Sequence, residues 1–123
     1  MRTPDVSRTI RILLADDHTV LRTGLRLLLE RQPGFQVIAE ARDGRETVEL
    51  AQKFRPDIAL LDIGMPNLNG IEAARQISAA QPNAAIIILS MHADEGYLLR
   101  ALKAGARARL RPIAKLRNEA RMP

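Results

Sequence analysis

Strand-like and helix-like stretches alternate along this chain. Four runs rich in apolar residues predict buried strands of a parallel sheet at 10–15, 35–41, 57–62 and 84–90. Helical spacing of apolar residues predicts helices at 18–31, 43–54, 71–80 and 94–104. A short fifth strand near 108–111 and a last short helix from Ile113 complete the pattern. The alternation indicates an α/β fold in which helices cover both faces of a five-stranded parallel sheet.

Capping and turn residues mark the ends of several predicted helices. The first helix has apolar residues at Val20, Leu21, Leu25, Leu28 and Leu29, and Pro33-Gly34 follows its end. Asp43 is the predicted N-cap of the second helix, with Glu46 as its capping-box partner. The loop 64–70 separates the third strand from the third helix, and we interpret Asn67 and Asn69 as turn residues within it.

The composition is typical of one soluble globular domain. The chain has 123 residues, 46% of them apolar, and no cysteine, which excludes disulfides and thiolate metal sites. No apolar run reaches the roughly 20 residues of a membrane span, and residues 1–9 lack the apolar core of a signal peptide. We therefore expect a cytoplasmic protein without a membrane partner. The predicted organisation is a disordered extension at 1–9, one domain at 10–112, and a short basic helix or tail at 113–123.

The net charge of +5 is confined to the end of the chain. Residues 1–104 contain 13 basic and 13 acidic residues, whereas residues 105–123 contain six basic residues and Glu119 alone. Clustered arginines bind phosphate backbones, so a nucleic-acid binder acting through this tail is one alternative function. The tail has no aromatic residue for base stacking and no second helix for a helix-turn-helix. DNA binding by this chain alone is therefore not expected.

Polar side chains follow three of the predicted strands. Asp16 and Asp17 come after the first strand, Asp62 ends the third, and Ser90 ends the fourth. Ligands of open α/β sheets bind beyond the carboxyl ends of the strands, where these residues fall. One acid after a strand is usually a helix N-cap, but three acids at equivalent ends need a cation or a proton to coexist. Their oxygen atoms favour a Mg²⁺ site, and a carboxylate nucleophile is the second hypothesis.

Other kinds of site are less consistent with these residues. His18 follows the acidic pair and could indicate a softer metal, but a single histidine that opens a helix is more often a surface residue. Ala15-Asp16-Asp17-His18 follows the first strand where a dinucleotide-binding protein would have a glycine-rich turn, and no P-loop is present.

Three short motifs carry a resemblance to a known family. They are Leu14-Ala15-Asp16-Asp17-His18, then Leu61-Asp62-Ile63-Gly64-Met65-Pro66 with Asn69-Gly70, and then Leu89-Ser90-Met91-His92-Ala93-Asp94. In this order and spacing they resemble the receiver domain of bacterial response regulators, over about residues 10–106. The Asp-Asp-His and Ser-Met-His forms are similar to the subfamily that joins a receiver to a helix-turn-helix domain of the NarL/FixJ type.

The resemblance implies a fold and a set of roles. The fold would be flavodoxin-like (CheY-like), a doubly wound parallel sheet of strand order 2-1-3-4-5. Asp62 matches the phosphoacceptor, which takes a phosphoryl group from a sensor histidine kinase. Asp17 matches the direct magnesium ligand, with Asp62 and the backbone carbonyl of Gly64, and Asp16 matches the acid that holds a metal-bound water. Ser90 matches the hydroxyl that bonds a phosphoryl oxygen. Such a domain is a phosphoacceptor in signalling, not an enzyme acting on a separate substrate.

The chain departs from the family near its end. Counted from Gly105-Ala106, the family's aromatic position is Arg109 and its lysine position is Pro112. Arg111 is one residue away from the lysine position, so it would point to the opposite face of the strand unless a β-bulge shifts the register. Even then, a guanidinium is not equivalent to an ammonium group. A frameshift in the gene and natural divergence would each explain the change.

These substitutions change the expected function. Because proline has no ammonium group, we expect a magnesium-binding receiver with impaired transfer or switching. Separately, we expect the basic tail at 113–123 to stand in place of an output domain. A homodimer through the face of the fourth helix and fifth strand is also implied. One alternative is a degenerate receiver that acts as a phosphorylation-independent interaction module. A haloacid-dehalogenase-like phosphatase would need an aspartate at Gly64.

Overall fold

The structure is a computed structural model that describes residues 9–89. Its elements are β1 (Ile10–Ala15), α1 (Thr19–Glu30), β2 (Phe35–Ala41), α2 (Gly44–Phe54), β3 (Ile58–Asp62), α3 (Gly70–Ala80) and β4 (Ala85–Leu89). The order and type of these seven elements confirm the prediction from the sequence. The predicted fourth helix, fifth strand and last helix lie outside the described residues.

The four strands form one parallel sheet of order β2-β1-β3-β4. This order confirms the corresponding part of the doubly wound topology. In the β1–β3 ladder Ile12 pairs with Ile58 and Ala15 pairs with Leu61. Asp16 and Asp62 are the next residues after Ala15 and Leu61, so the register brings these two acids to the same edge of the sheet.

Helices cover both faces of the sheet. Side chains alternate between the two sides of each strand, so both sides carry apolar residues. One side buries Ile12, Leu14, Ile58 and Leu60 of the sheet against Leu29 of α1. The other side buries Leu13, Ala15, Ala59 and Leu61 against Ala51 of α2 and Ala73 and Ile77 of α3. Burial on both faces explains why β1 and β3 are almost continuously apolar.

Side-chain caps hold the N-termini of α2 and α3. Asp43 accepts a hydrogen bond from the backbone N–H of Glu46 at 2.8 Å, which confirms the predicted N-cap. Glu46 accepts from the N–H of Arg42 at 2.8 Å, one residue before the partner that a standard capping box would use. Asn69 is the N-cap of α3, and it accepts from the N–H of Glu72 at 2.9 Å. Asn69 is thus a helix cap as well as a turn residue.

Helix α1 buries only part of its apolar sequence. Leu29 is fully buried, whereas Val20 is 87% exposed and Leu21 is 52% exposed. Leu29 comes nine residues after Val20, which at about 100° per residue is two full turns plus about 180°. The side chains of Val20 and Leu29 therefore lie on opposite sides of the helix. The spacing therefore predicts the helix correctly without identifying its buried face. Within residues 9–89 no helix is long and apolar enough to cross a membrane.

Candidate functional site

The carboxyl edge of the sheet carries a compact cluster of ionisable groups. One side-chain oxygen or nitrogen each from Asp16, Asp17, His18 and Asp62 lie within 4.8 Å of one another. The three acids that follow β1 and end β3 are therefore brought together, as the parallel register requires. His18 joins the three predicted acids as the fourth member of the cluster.

Asp16 is fixed by its backbone and its side chain. Its N–H donates to the carbonyl of Ala41 at 3.0 Å, and its own carbonyl accepts from Nη1 of Arg22 at 2.7 Å. Its Oδ1 accepts from the backbone N–H of His18 at 2.8 Å. Only 4% of the residue is exposed. These bonds orient a buried carboxylate beside the more open Asp17.

Asp17 has a side-chain oxygen that no hydrogen bond satisfies. Its Oδ1 is buried and accepts no hydrogen bond within the described part of the chain. The same oxygen lies 3.2 Å from Nδ1 of His18, which gives it an ionic neighbour when that imidazole is charged. A buried acceptor without a donor is rare in folded proteins and is a position where a bound cation would be favourable.

His18 lies at the solvent side of the acidic pair. Its Nδ1 is 3.1 Å from Oδ1 of Asp16 and 3.2 Å from Oδ1 of Asp17, and 69% of its side chain is exposed. The pKa of His18 is raised, first by the hydrogen bond with Asp16 and then by the negative charges of Asp17 and Asp16. The sequence predicts a surface residue at His18, which its exposure confirms, but it does not predict the contact with both acids. Its position directly after the pair was the one available signal.

The surroundings of Asp62 disfavour its ionised form. Burial raises the pKa of Asp62 above the ordinary value of 3.8, and the negative charges of Asp16 and Asp17 add to this effect. A hydrogen bond from the backbone N–H of Gly64 acts in the opposite direction and lowers the pKa. The carboxylate is therefore held close to like charges that a cation would neutralise.

The loop after β3 leaves no room for a side chain at Gly70. A Cβ atom there would lie 2.3 Å from the backbone oxygen of Asp62, far inside van der Waals contact. The N–H of Gly70 donates to the carbonyl of Ile63 at 3.1 Å, so α3 begins directly against the end of β3. Glycine at this position therefore keeps the backbone of Asp62 close to the start of α3.

The same loop is tied to the start of α2. Asn67 has a left-handed backbone, with φ of 69°, and its Nδ2 donates to Oδ2 of Asp43 at 2.9 Å. The N–H of Gly44 donates to the carbonyl of Pro66 at 3.3 Å. These contacts hold the segment that follows Asp62 against α2.

Of the remaining predicted site residues, the structure describes only Gly64. Gly64 lies in the loop two residues after Asp62 and is exposed. Ser90, Arg111 and Pro112 fall outside the described residues, so their predicted roles stay predictions.

The donor set fits a magnesium ion. Mg²⁺ is bound in proteins through one or two carboxylates and keeps several waters, and three carboxylates at an accessible sheet edge meet that need. The unsatisfied oxygen of Asp17 supports the same fit.

Comparison with known proteins agrees with the fold and the acidic edge. The family model of the response regulator receiver domain matches residues 12–115. The chain is 42% identical over 97 residues to the transcriptional regulatory protein DegU of Brevibacillus brevis, covering 79% of this chain and 41% of that protein. It is also 42% identical over 106 residues to the transcriptional regulatory protein LiaR of Bacillus subtilis, covering 86% of this chain and 50% of that protein.

A solved structure leads to the same class. A two-component response regulator of the LuxR family from an Aurantimonas species superposes with a TM-score of 0.66 at 43% identity, over 79% of this chain and 69% of that one. The fold and the clustered acids thus define a signalling domain of CheY-like architecture. The chain belongs to the response regulator receiver domain family of two-component systems. It spans half or less of the length of the curated relatives it matches.

Proposed function

We propose that this chain accepts a phosphoryl group on Asp62 from a phosphohistidine of a sensor histidine kinase, in a Mg²⁺-dependent step. The observation that carries the proposal is the convergence of Asp16, Asp17 and Asp62 at one sheet edge, with the pKa of Asp62 raised by burial and by the other two acids. Such crowding of negative charge favours a cation, and the cation offsets the repulsion between the carboxylates and an incoming phosphoryl group.

The proposed transfer forms one bond and breaks one bond. A carboxylate oxygen of Asp62 attacks phosphorus, the P–N bond of the phosphohistidine breaks, and the kinase imidazole leaves with the electron pair. Asp17, Asp62 and the carbonyl of Gly64 would hold Mg²⁺, and Asp16 would hold one of its waters. The ion, when bound, neutralises the crowded oxygens. The Ser90 hydroxyl is assigned to a phosphoryl oxygen.

Incubation of the full chain with Mg²⁺ and acetyl phosphate, followed by intact mass measurement, tests the assignment of Asp62. We expect the mass gain of one phosphoryl group in the wild type and none in Asp62→Asn. Glu49→Gln is the matched control, because Glu49 is an exposed carboxyl on α2 and its loss should leave the gain unchanged. No gain in the wild type, or a gain that persists in Asp62→Asn, would overturn the proposal.

We further propose that transfer is slowed because Pro112 stands where the family has lysine. An ammonium group at this position would bridge the carboxylate and phosphoryl oxygens, and proline supplies none. Pro112→Lys should therefore raise the rate of phosphorylation by acetyl phosphate about tenfold or more. Pro112→Ala is the control, because it relieves the backbone constraint without adding a charge. Equal rates in all three proteins would show that residue 112 does not limit the step.

A further inference from the structure

His18 lies at the open side of the acidic pair with its ring nitrogen turned toward both carboxylates. Nδ1 is 3.1 Å from Oδ1 of Asp16 and 3.2 Å from Oδ1 of Asp17. The side chain is 69% exposed, whereas Asp16 and Oδ1 of Asp17 are buried, so the imidazole is the solvent-facing member of this group. The backbone N–H of His18 also donates to Asp16 at 2.8 Å, which fixes the start of α1 beside the cluster.

The separations of these atoms suit ligands of one ion. Two ligand atoms bound to the same metal at about 2.1 Å are roughly 3.0 to 3.4 Å apart in octahedral or tetrahedral arrangements. The two distances from Nδ1 fall within that interval. The ligand atom of Asp62 also lies within 4.8 Å of the other three. Because Nδ1 is hydrogen-bonded to Oδ1 of Asp16 at 3.1 Å, an ion bound at this nitrogen would take the place of the proton between them.

The chemistry of the donors determines which ions would use this nitrogen. Mg²⁺ strongly prefers oxygen ligands and keeps its waters, so the imidazole adds little to its binding. Imidazole nitrogen is a good ligand for Zn²⁺, Ni²⁺ and Cu²⁺, which also accept carboxylate oxygens. The cluster thus has a hard part, formed by the three carboxylates, and one borderline ligand, formed by the histidine.

We propose that His18 is a metal ligand that gives this acidic site a selectivity for divalent transition-metal ions such as Ni²⁺ and Zn²⁺ over Mg²⁺. The inference rests on the proposed function in that the same carboxylates bind the ion. It goes further in assigning a specificity-determining residue to the site. Three carboxylates alone would discriminate weakly between Mg²⁺ and transition-metal ions. With His18 as an additional ligand, the site would prefer the transition metal.

Calorimetric titration of the full chain with Ni²⁺ alone and with Mg²⁺ alone tests the proposal. In His18→Asn we expect the affinity for Ni²⁺ to fall by about tenfold or more, while the affinity for Mg²⁺ changes less than about threefold. Asparagine is a good N-cap, so α1 should still begin at this position, and circular dichroism checks that it does. His92→Asn removes the second of the two histidines and should leave both affinities unchanged.

A spectroscopic measurement identifies the ligand directly. Electron paramagnetic resonance of the Cu²⁺-loaded chain should show coupling to nitrogen in the wild type and in His92→Asn, and loss of that coupling in His18→Asn. Equal Ni²⁺ affinity in the wild type and His18→Asn, or a loss only in His92→Asn, would overturn the role of His18. Phosphorylation of Asp62 with Mg²⁺ would stand in that case. Failure of phosphorylation with intact Ni²⁺ selectivity would instead overturn only the proposed function.

Discussion

At the scale of single residues, the environment of Asp62 is unfavourable for a charge. Burial and the two neighbouring acids raise its pKa, and the only opposing contribution among the causes of the shift is the N–H of Gly64. Gly70 adds a steric demand at the same place, because a Cβ atom would lie 2.3 Å from the carbonyl oxygen of Asp62. The site therefore stores electrostatic repulsion that a cation or a proton can relieve.

Removal of the charge at Asp62 should stabilise the metal-free protein. A raised folded pKa means that the ionised form weakens the folded state, so the cost exists at neutral pH and disappears as pH falls through the folded pKa toward 3.8. We expect Asp62→Asn to raise the free energy of unfolding at pH 7 by up to about 1 kcal/mol, because solvent screens part of the repulsion.

Urea denaturation in the presence of a chelator, at pH 7 and near pH 3.5, measures this effect. The difference between Asp62→Asn and the wild type should shrink at the lower pH. Glu49→Gln, with an exposed side chain on α2, should show no such gain at pH 7. A destabilised Asp62→Asn at pH 7 would contradict the electrostatic account of the site.

At the scale of elements, an arginine on the buried side of α1 links three parts of the fold. Arg22 is seven residues before Leu29, or about 20° away around the helix, and its side chain is only 12% exposed. Its Nε donates to Glu40 of β2 at 3.0 Å, and its Nη1 donates to the carbonyl of Asp16 at 2.7 Å. Helix α1, the edge strand β2 and the acidic turn are thus connected by one guanidinium.

Substitution of Arg22 should cost more than substitution of its neighbour on the same helix. Arg22→Gln removes the donor to Oε1 of Glu40 and to the carbonyl of Asp16, so we expect a loss of about 1 to 3 kcal/mol in the free energy of unfolding. Arg26→Gln removes two contacts that are more exposed, with Glu40 at 2.9 Å and with Glu30 at 3.5 Å, and should cost less than about 1 kcal/mol. Urea denaturation compares the two, and equal losses would contradict a special role for Arg22.

At the scale of the whole molecule, the sheet brings together acids that are distant along the chain. Asp16 and Asp17 follow β1, Asp62 ends β3, and helices α1 and α2 with strand β2 lie between them in sequence. The cluster exists only in the folded state, because the parallel β1–β3 ladder creates it. Binding of a cation to the cluster must therefore stabilise folding.

Magnesium should raise the thermal stability of the chain in a saturable way. At 100 times its dissociation constant, an ion that binds only the folded state adds about 2.7 kcal/mol to the free energy of unfolding. Asp17→Asn removes the carboxylate whose Oδ1 has no hydrogen-bond partner among residues 9–89, and we expect it to abolish most of the gain. Thermal melts with MgCl₂ and with NaCl of equal ionic strength measure the difference. A gain of the same size with NaCl would indicate screening instead of binding.

Local patterns in the chain were enough to predict most of the described fold and the acidic part of the site. Continuous apolar runs identify strands buried on both faces, and Asp43 identifies the start of α2, because these signals depend on neighbours within a few residues. The three acids could be assigned to one edge from topology alone, because parallel strands align their carboxyl ends. The departure from the family at Pro112 is also visible in the sequence, as a residue without the required ammonium group.

Packing between separate elements determined the rest. The contact of His18 with both acids depends on the turn that Asp16 forms with the start of α1, and no residue pattern specifies that geometry. The burial of Arg22 depends on Glu40 of β2, which lies 18 residues away and compensates the charge. A polar side chain is predicted to be exposed unless its partner is known, and that partner is set only when the helix and the strand come together in space.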